Sequence, residues 1–256
     1  MKLFTFVFFL VLSTETSLVL FLHLLPKLGG FGKNILAKLS QAPGLDGIVS
    51  LLLWIPWLIG VLIAGWSGIV AAIAAQFLVM QLWVFVHEFV HRQTLKEGSK
   101  IHRFMNQKFG WWRNNLALWA TALALPVFFA LRWAEIFVYP ILIWVLDFPN
   151  YKHSEWINVS RQKFQGLIGK DLIWCLYCDW MTGVYSLGAE MLRNVESFWC
   201  PIRFYEDKKC DNCKLDFPDL EGGWIAKEGT MDEVEALLQE KYGGLQRSWF
   251  GHPDRK

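Results

Sequence analysis

Apolar residues fall in long runs over the first 150 positions and thin out sharply after Asn150. Residues 3–25 are apolar except for Ser13-Thr-Glu15-Thr-Ser and His23. Residues 48–66 and 67–89 form two more runs, joined by a tight turn at Ala64-Gly-Trp-Ser-Gly68. Each run reaches the roughly 20 residues that a helix needs to cross a bilayer. Two shorter runs, 116–130 and 136–146, flank Arg132-Trp-Ala-Glu135 and contain Pro126 and Pro140, which kink helices. This arrangement predicts a hairpin reversing at 132–135; the alternative is one long tilted helix carrying a buried charged pair. Beyond residue 150 the pattern predicts a partly apolar helical stretch over 166–195. A short amphipathic helix should follow from Thr230 to about Tyr242, with Thr230 and Glu233 forming a capping box. No internal repeat is visible.

Composition agrees with a membrane protein. Of 256 residues, 54% are hydrophobic and 16% aromatic, and charged residues make up only 19%, against about 25% in soluble domains. The net charge of +2 says less than its placement. Basic residues gather in the connectors 27–44 and 92–113 and after Asp147, so the positive-inside rule puts these segments and the C-terminus in the cytoplasm. The start of the chain has only Lys2 ahead of its apolar run and no small-residue cleavage pattern. That predicts a first membrane helix, with a retained signal-like anchor as the alternative. No basic run interleaved with aromatics points to nucleic acid. The expectation is an all-α polytopic membrane protein, with about five transmembrane helices over 1–149. A small Cys-rich, mostly helical cytoplasmic region over 150–256 would complete it.

Against this apolar background, Trp83-Val-Phe-Val-His87-Glu88-Phe-Val-His91-Arg92 stands out. On a helix His87 and His91 lie one turn apart on the same face, where two imidazoles can reach one metal ion. Ionisable side chains in membrane helices are costly and mark functional sites. As a zinc site, the two histidines would hold the metal and Glu88 would activate its water. As an iron site, they would help activate dioxygen. A purely interfacial reading has Glu88 paired with Arg92, four residues on. The proposed topology also brings His102 and His153 to the same cytoplasmic boundary.

The segment from His87-Glu-Phe-Val-His91-Arg through His102-Arg-Phe-Met-Asn106 to Gly110 resembles the first histidine box of membrane di-iron fatty-acid desaturases and alkane hydroxylases. The resemblance covers about thirty residues. It implies His87 and His91 as iron ligands, His102 as a third, and a lipid-like or other hydrophobic substrate served by a soluble electron donor. The second and third boxes of those families, of the His-x-x-His-His type, have no counterpart here, so further ligands would come from His153, Asp147, other carboxylates or thiolates. Leu146-Asp147-Phe148 also partly matches the Leu-Asp-Gly motif of intramembrane zinc proteases, without its glycine. As a non-ligand, Asp147 would cap a helix end.

Cys175-Leu-Tyr-Cys178 and Cys210-Asp-Asn-Cys213 are two Cys-x-x-Cys pairs, with Cys200 between them. Four thiolates can close one tetrahedral zinc or iron site, so the four sulfurs are expected to meet. Alternatively, the pairs cycle between dithiol and disulfide, as in membrane oxidoreductases resembling vitamin K epoxide reductase; or Cys175 and Cys178 are simply packed thiols. The leading expectation is a metal-dependent membrane oxidoreductase using iron, with zinc as the alternative metal. The other expectations are a thiol-redox or metal-cluster protein, an intramembrane zinc protease using Glu88, and a non-enzymatic membrane assembly factor.

Overall fold

The computed structural model describes residues 1–97, 100–164, 166–202 and 224–244. Among them regular structure is helical, apart from isolated bridges between Gln41 and Asn158 and between Ile202 and Ile225. Three stretches are long and apolar enough to cross a membrane: Lys2–Leu39, Trp54–Val90 and Trp111–Leu146. The chain divides into two compact units, residues 1–128 with 152–184, and residues 129–151 with 185–256.

The first unit is built on α1 (Lys2–Leu24), α2 (Gly29–Leu39), α3 (Gly44–Leu52), α4 (Trp54–Ala64) and α5 (Trp66–Val90). At 1.5 Å per residue α1 and α5 are about 35 and 37 Å long, enough to traverse the hydrocarbon core. Their contacts advance together along both helices. Val7 and Val11 of α1 join Ala71, Ala72 and Ala75 of α5 in one buried cluster, while His23 meets Trp83 and His87 further along. The two helices therefore run in the same direction. Small side chains on α5 let the backbones approach, as in many membrane helix pairs.

Where residues 48–66 read as one helix, the structure has two, α3 and α4, broken at Leu53 (φ −120°, ψ −77°). The cause is local. Pro56 has no N–H to donate to the Leu52 carbonyl one turn back, and an unsatisfied carbonyl in an apolar setting is costly. Gln76 of α5 supplies the missing donor: its Nε2 donates to Leu52 O and Leu53 O, both at 2.9 Å. The indole Nε1 of Trp57 in turn donates to Gln76 Oε1 at 2.6 Å. After Gly65 (φ +59°) the chain reverses, and α4 lies against α5 so tightly that a Cβ on Gly68 would stand 1.9 Å from Gly60 O.

Beyond α5 come α6 (Arg92–Glu97), α7 (Ile101–Phe109), α8 (Trp111–Ala122), α9 (Leu125–Trp133), a π-helical turn (Ala134–Val138) and α10 (Tyr139–Leu146). The hairpin expected at 132–135 does not form: these residues are helical, and no reversal occurs there. Arg132 and Glu135 instead close a buried ion pair at 2.7 Å, the arrangement expected of the long-helix alternative. The π turn falls beside that pair.

After α11 (His153–Trp156) follow α12 (Lys170–Trp199) and α13 (Met231–Tyr242). The capping box of α13 is as expected, with Glu233 N–H donating to Thr230 Oγ1 at 3.4 Å and Thr230 N–H to Glu233 Oε2 at 2.8 Å. In the second unit Asn194 Nδ2 donates to the hydroxyls of Tyr139 and Tyr151, and Tyr151 reaches Glu190. Glu190 is also paired with Arg193. Glu190 of α12 thus faces inward, whereas Cys178, nearer the start of the helix, is exposed. Trp180, Val184, Leu187 and Met191 form the buried apolar face.

Candidate functional site

His87 and His91 lie at the end of α5, one turn apart, with ring centroids 4.6 Å from each other. A third histidine, absent from the sequence-based set, joins them: the ring of His23, at the end of α1, is 6.2 Å from that of His87. Trp83 links the two helices. It stacks on His87 at 4.6 Å and 19°, and its indole N–H donates to His23 Nε2 at 3.2 Å. The other ring nitrogen of His23, Nδ1, lies 2.9 Å from the Val19 carbonyl. With Nε2 accepting, Nδ1 carries the proton and donates, which fixes the neutral tautomer.

The loop before α12 closes over this cluster. Gly169, in the left-handed region at φ +59°, packs so closely that a Cβ there would stand 2.3 Å from Glu88 Cγ. Its N–H donates to His87 Nδ1 at 3.1 Å. A neutral imidazole that accepts at Nδ1 holds its own proton on Nε2. Glu88 pairs with Lys100 at 3.0 Å rather than with Arg92, whose guanidinium lies 5.5 Å from the Phe89 ring centre.

Asp171, just inside α12, binds the connector. Its carboxylate accepts from Ile101 N–H at 2.8 Å and His102 N–H at 3.0 Å, at the start of α7. It thereby satisfies two donors that a helix start leaves open, and its charge suits the positive end of the helix dipole. The His102 ring lies 3.5 Å from the same carboxylate, so His102 is engaged by Asp171. Lys170 donates to Asn115 of α8, and burial pushes its ammonium pKa below the ordinary value.

Asp147 closes α10 in the left-handed region (φ 54°). His153 starts α11, where its carbonyl accepts from Ile157 N–H. Cys175 and Cys178 lie on α12 as free thiols, the first partly buried and the second exposed. Burial pushes the Cys175 thiol pKa up, which disfavours its thiolate. Cys210 and Cys213, and with them the expected four-sulfur cluster, lie outside the described residues.

Among the described residues no group of three or more His, Cys, Asp or Glu is disposed to hold a metal ion. The donor chemistry gives the reason at the histidines. Both nitrogens of His23 are engaged, and a metal on His87 Nε2 would need the proton on Nδ1, where Gly169 already donates one. The described residues therefore do not fit a resident iron or zinc on His87 as they stand. Compared with known protein families, curated proteins and solved structures, the chain matches none.

What sequence reading missed here is His23, Gly169, Asp171 and Lys100. His23 was visible as a polar interruption of the first apolar run, the same signal that singled out His87. Gly169 and Asp171 carry no local signature, because their partners are 82 and 70 residues away.

Proposed function

We propose that this is a multi-pass membrane protein whose working centre is the cluster of His23, His87 and His91 at the cytoplasmic boundary. It acts there by proton transfer on a hydrophobic or lipid-like substrate that arrives through the bilayer. The observation that carries this reading is the hydrogen bond from Gly169 N–H to His87 Nδ1. It holds His87 neutral with a proton on Nε2, and a neutral imidazole so held donates that proton to a developing negative charge. Lys100 keeps the Glu88 carboxylate paired beside the ring.

In this reading α1, the interrupted pair α3–α4 and α5 make three crossings, with the N-terminus on the far side. The five crossings expected from hydropathy become three in this reading. With the hairpin at 132–135 absent, Trp111–Leu146, although long and apolar enough to cross, is taken to lie on the cytoplasmic side, where α8 meets the start of α12 through Asn115–Lys170 and Thr121–Tyr177. The connectors and residues 152–184 share the cytoplasmic side, supported by the Asp171 bonds to α7 and by the Ala42 N–H bond to Ile157 O at 2.9 Å.

A second reading, the metal-dependent oxidoreductase drawing electrons from a soluble donor, is favoured by the close approach of the His87 and His91 rings one turn apart. Metal analysis of detergent-purified protein, alongside ¹⁵N-histidine resonances, separates the two. No bound metal and an Nε2-protonated His87 are expected. Stoichiometric iron or zinc that disappears in both His87→Ala and His91→Ala would overturn the proton-transfer reading and support the metal-dependent one.

A further inference from the structure

A second polar centre lies deeper along the α1–α5 seam. Val7, Val11 and Glu15 recur every four residues and are the buried positions of α1, so Glu15 continues the stripe that faces inward. Glu15 is only 4% exposed, and its Oε1 has no hydrogen-bond partner. The side chain beside it is Gln76, the same glutamine that donates to Leu52 O and Leu53 O at the break between α3 and α4. A buried carboxylate, a glutamine amide and the two backbone carbonyls at the break, one of them released by Pro56, thus converge inside the bilayer.

Among the described residues, the helices packed against Glu15 hold no counter-charge beside it. α4 contains no titratable residue, and the first on α5 is His87 at its far end. On α1 itself the others are Lys2 and His23, near the two ends; Lys27 lies beyond, in the turn Leu25–Leu28, and Asp46 is in the first turn of α3. A carboxylate left ionised and unpaired in such a place is strongly disfavoured.

Each Gln76 N–H already serves a carbonyl, while Gln76 Oε1 accepts from Trp57 and retains a second lone pair. A protonated Glu15 can donate to that oxygen without disturbing the break. An ionised Glu15 can only accept, and the nearest donor is the amide that now closes the break.

We propose that Glu15 is a proton-binding site within the membrane, and that its proton decides whether Gln76 serves the Leu52 and Leu53 carbonyls or the carboxylate. Loss of the proton to the aqueous phase draws the amide toward Glu15 and releases the break, so protonation and the shape of the α3–α4 crossing are linked. The site stands independently of the histidine cluster.

The test uses the intact protein in lipid vesicles. Dicyclohexylcarbodiimide adds to protonated carboxyl groups in apolar settings, and mass spectrometry locates the adduct. Labelling of Glu15 at neutral pH, protected as pH rises, is expected, together with an infrared acid-carbonyl band that disappears in Glu15→Gln. Glu15→Asp should keep the band at a shifted frequency, which covers the case in which the glutamine variant fails to fold. Absence of both label and acid band in the wild-type protein overturns the proposal. Protection by sodium at constant pH also overturns it, in favour of a cation site.

Discussion

Asp179 shows how much one side chain can organise. It accepts from Ser160 N–H at 2.8 Å and Arg161 N–H at 3.1 Å, and pairs with the Arg161 side chain at 3.1 Å. Burial alone would raise its pKa, but these donors outweigh burial and hold it below the ordinary 3.8. The unfolded carboxyl therefore binds its proton at a higher pH than the folded one. Its stabilisation is complete above the unfolded value and is lost as pH falls through the folded value. Asp179→Asn should cost about 1–2 kcal/mol at neutral pH and flatten the acid limb of stability. Thermal unfolding in detergent across the acid range measures both effects; an unchanged acid limb would refute the assignment. Among the described thiols, exposure sets Cys178 apart from the partly buried Cys175 and Cys200. A water-soluble maleimide should modify Cys178 before Cys175 and Cys200, as peptide mapping would reveal. At this scale the legible features were local ones. The Thr230–Glu233 box and the His87–His91 spacing need only three or four residues of sequence. The tautomer of His87 depends on Gly169, and the orientation of His23 on Trp83, sixty residues away; no window of sequence contains either.

At the scale of elements, the break between α3 and α4 rests on two residues with opposite effects. Gln76→Leu leaves the Leu52 carbonyl, which Pro56 cannot serve, without a donor and should cost about 1–3 kcal/mol. Pro56→Ala returns an N–H one turn after Leu52. It should therefore recover part of that loss in the double variant, even if it is neutral alone. Additive effects in thermal unfolding would show that the proline and the glutamine do not act on the same carbonyl. The helix contact near Gly65 is equally specific. Gly68→Ala would drive a methyl into the Gly60 carbonyl, at about 1–3 kcal/mol for the forced separation. The apolar runs were legible because hydropathy registers length and composition. The break was not, since Pro56 sits in a run that reads as continuous and Gln76 is a lone polar residue in another. The reversal at 132–135 was read from a charged pair interrupting apolar sequence. The charges in fact neutralise each other one turn apart within a helix, and the backbone continues through them.

For the whole molecule, topology is the decisive quantity. Reporter fusions after Gly110 and at Lys256 should both report a cytoplasmic location, and Cys178 should react with an impermeant maleimide only from that side; an exported reporter at either position would separate the connector from the histidine cluster it is proposed to share. The buried carboxylate on α1 also bears on how the protein is made. α1 is made before α5, and an ionised residue near the centre of a helix costs about 2.5–3.5 kcal/mol to insert. Gln76 is synthesised 61 residues after Glu15, so the nascent α1 has no partner for that carboxyl until α5 emerges from the ribosome. A chain truncated before α5 should therefore be retained poorly in the bilayer and be a target for membrane quality control, and Glu15→Leu should relieve that dependence. The residue that is costly to insert thus makes α1 wait for α5.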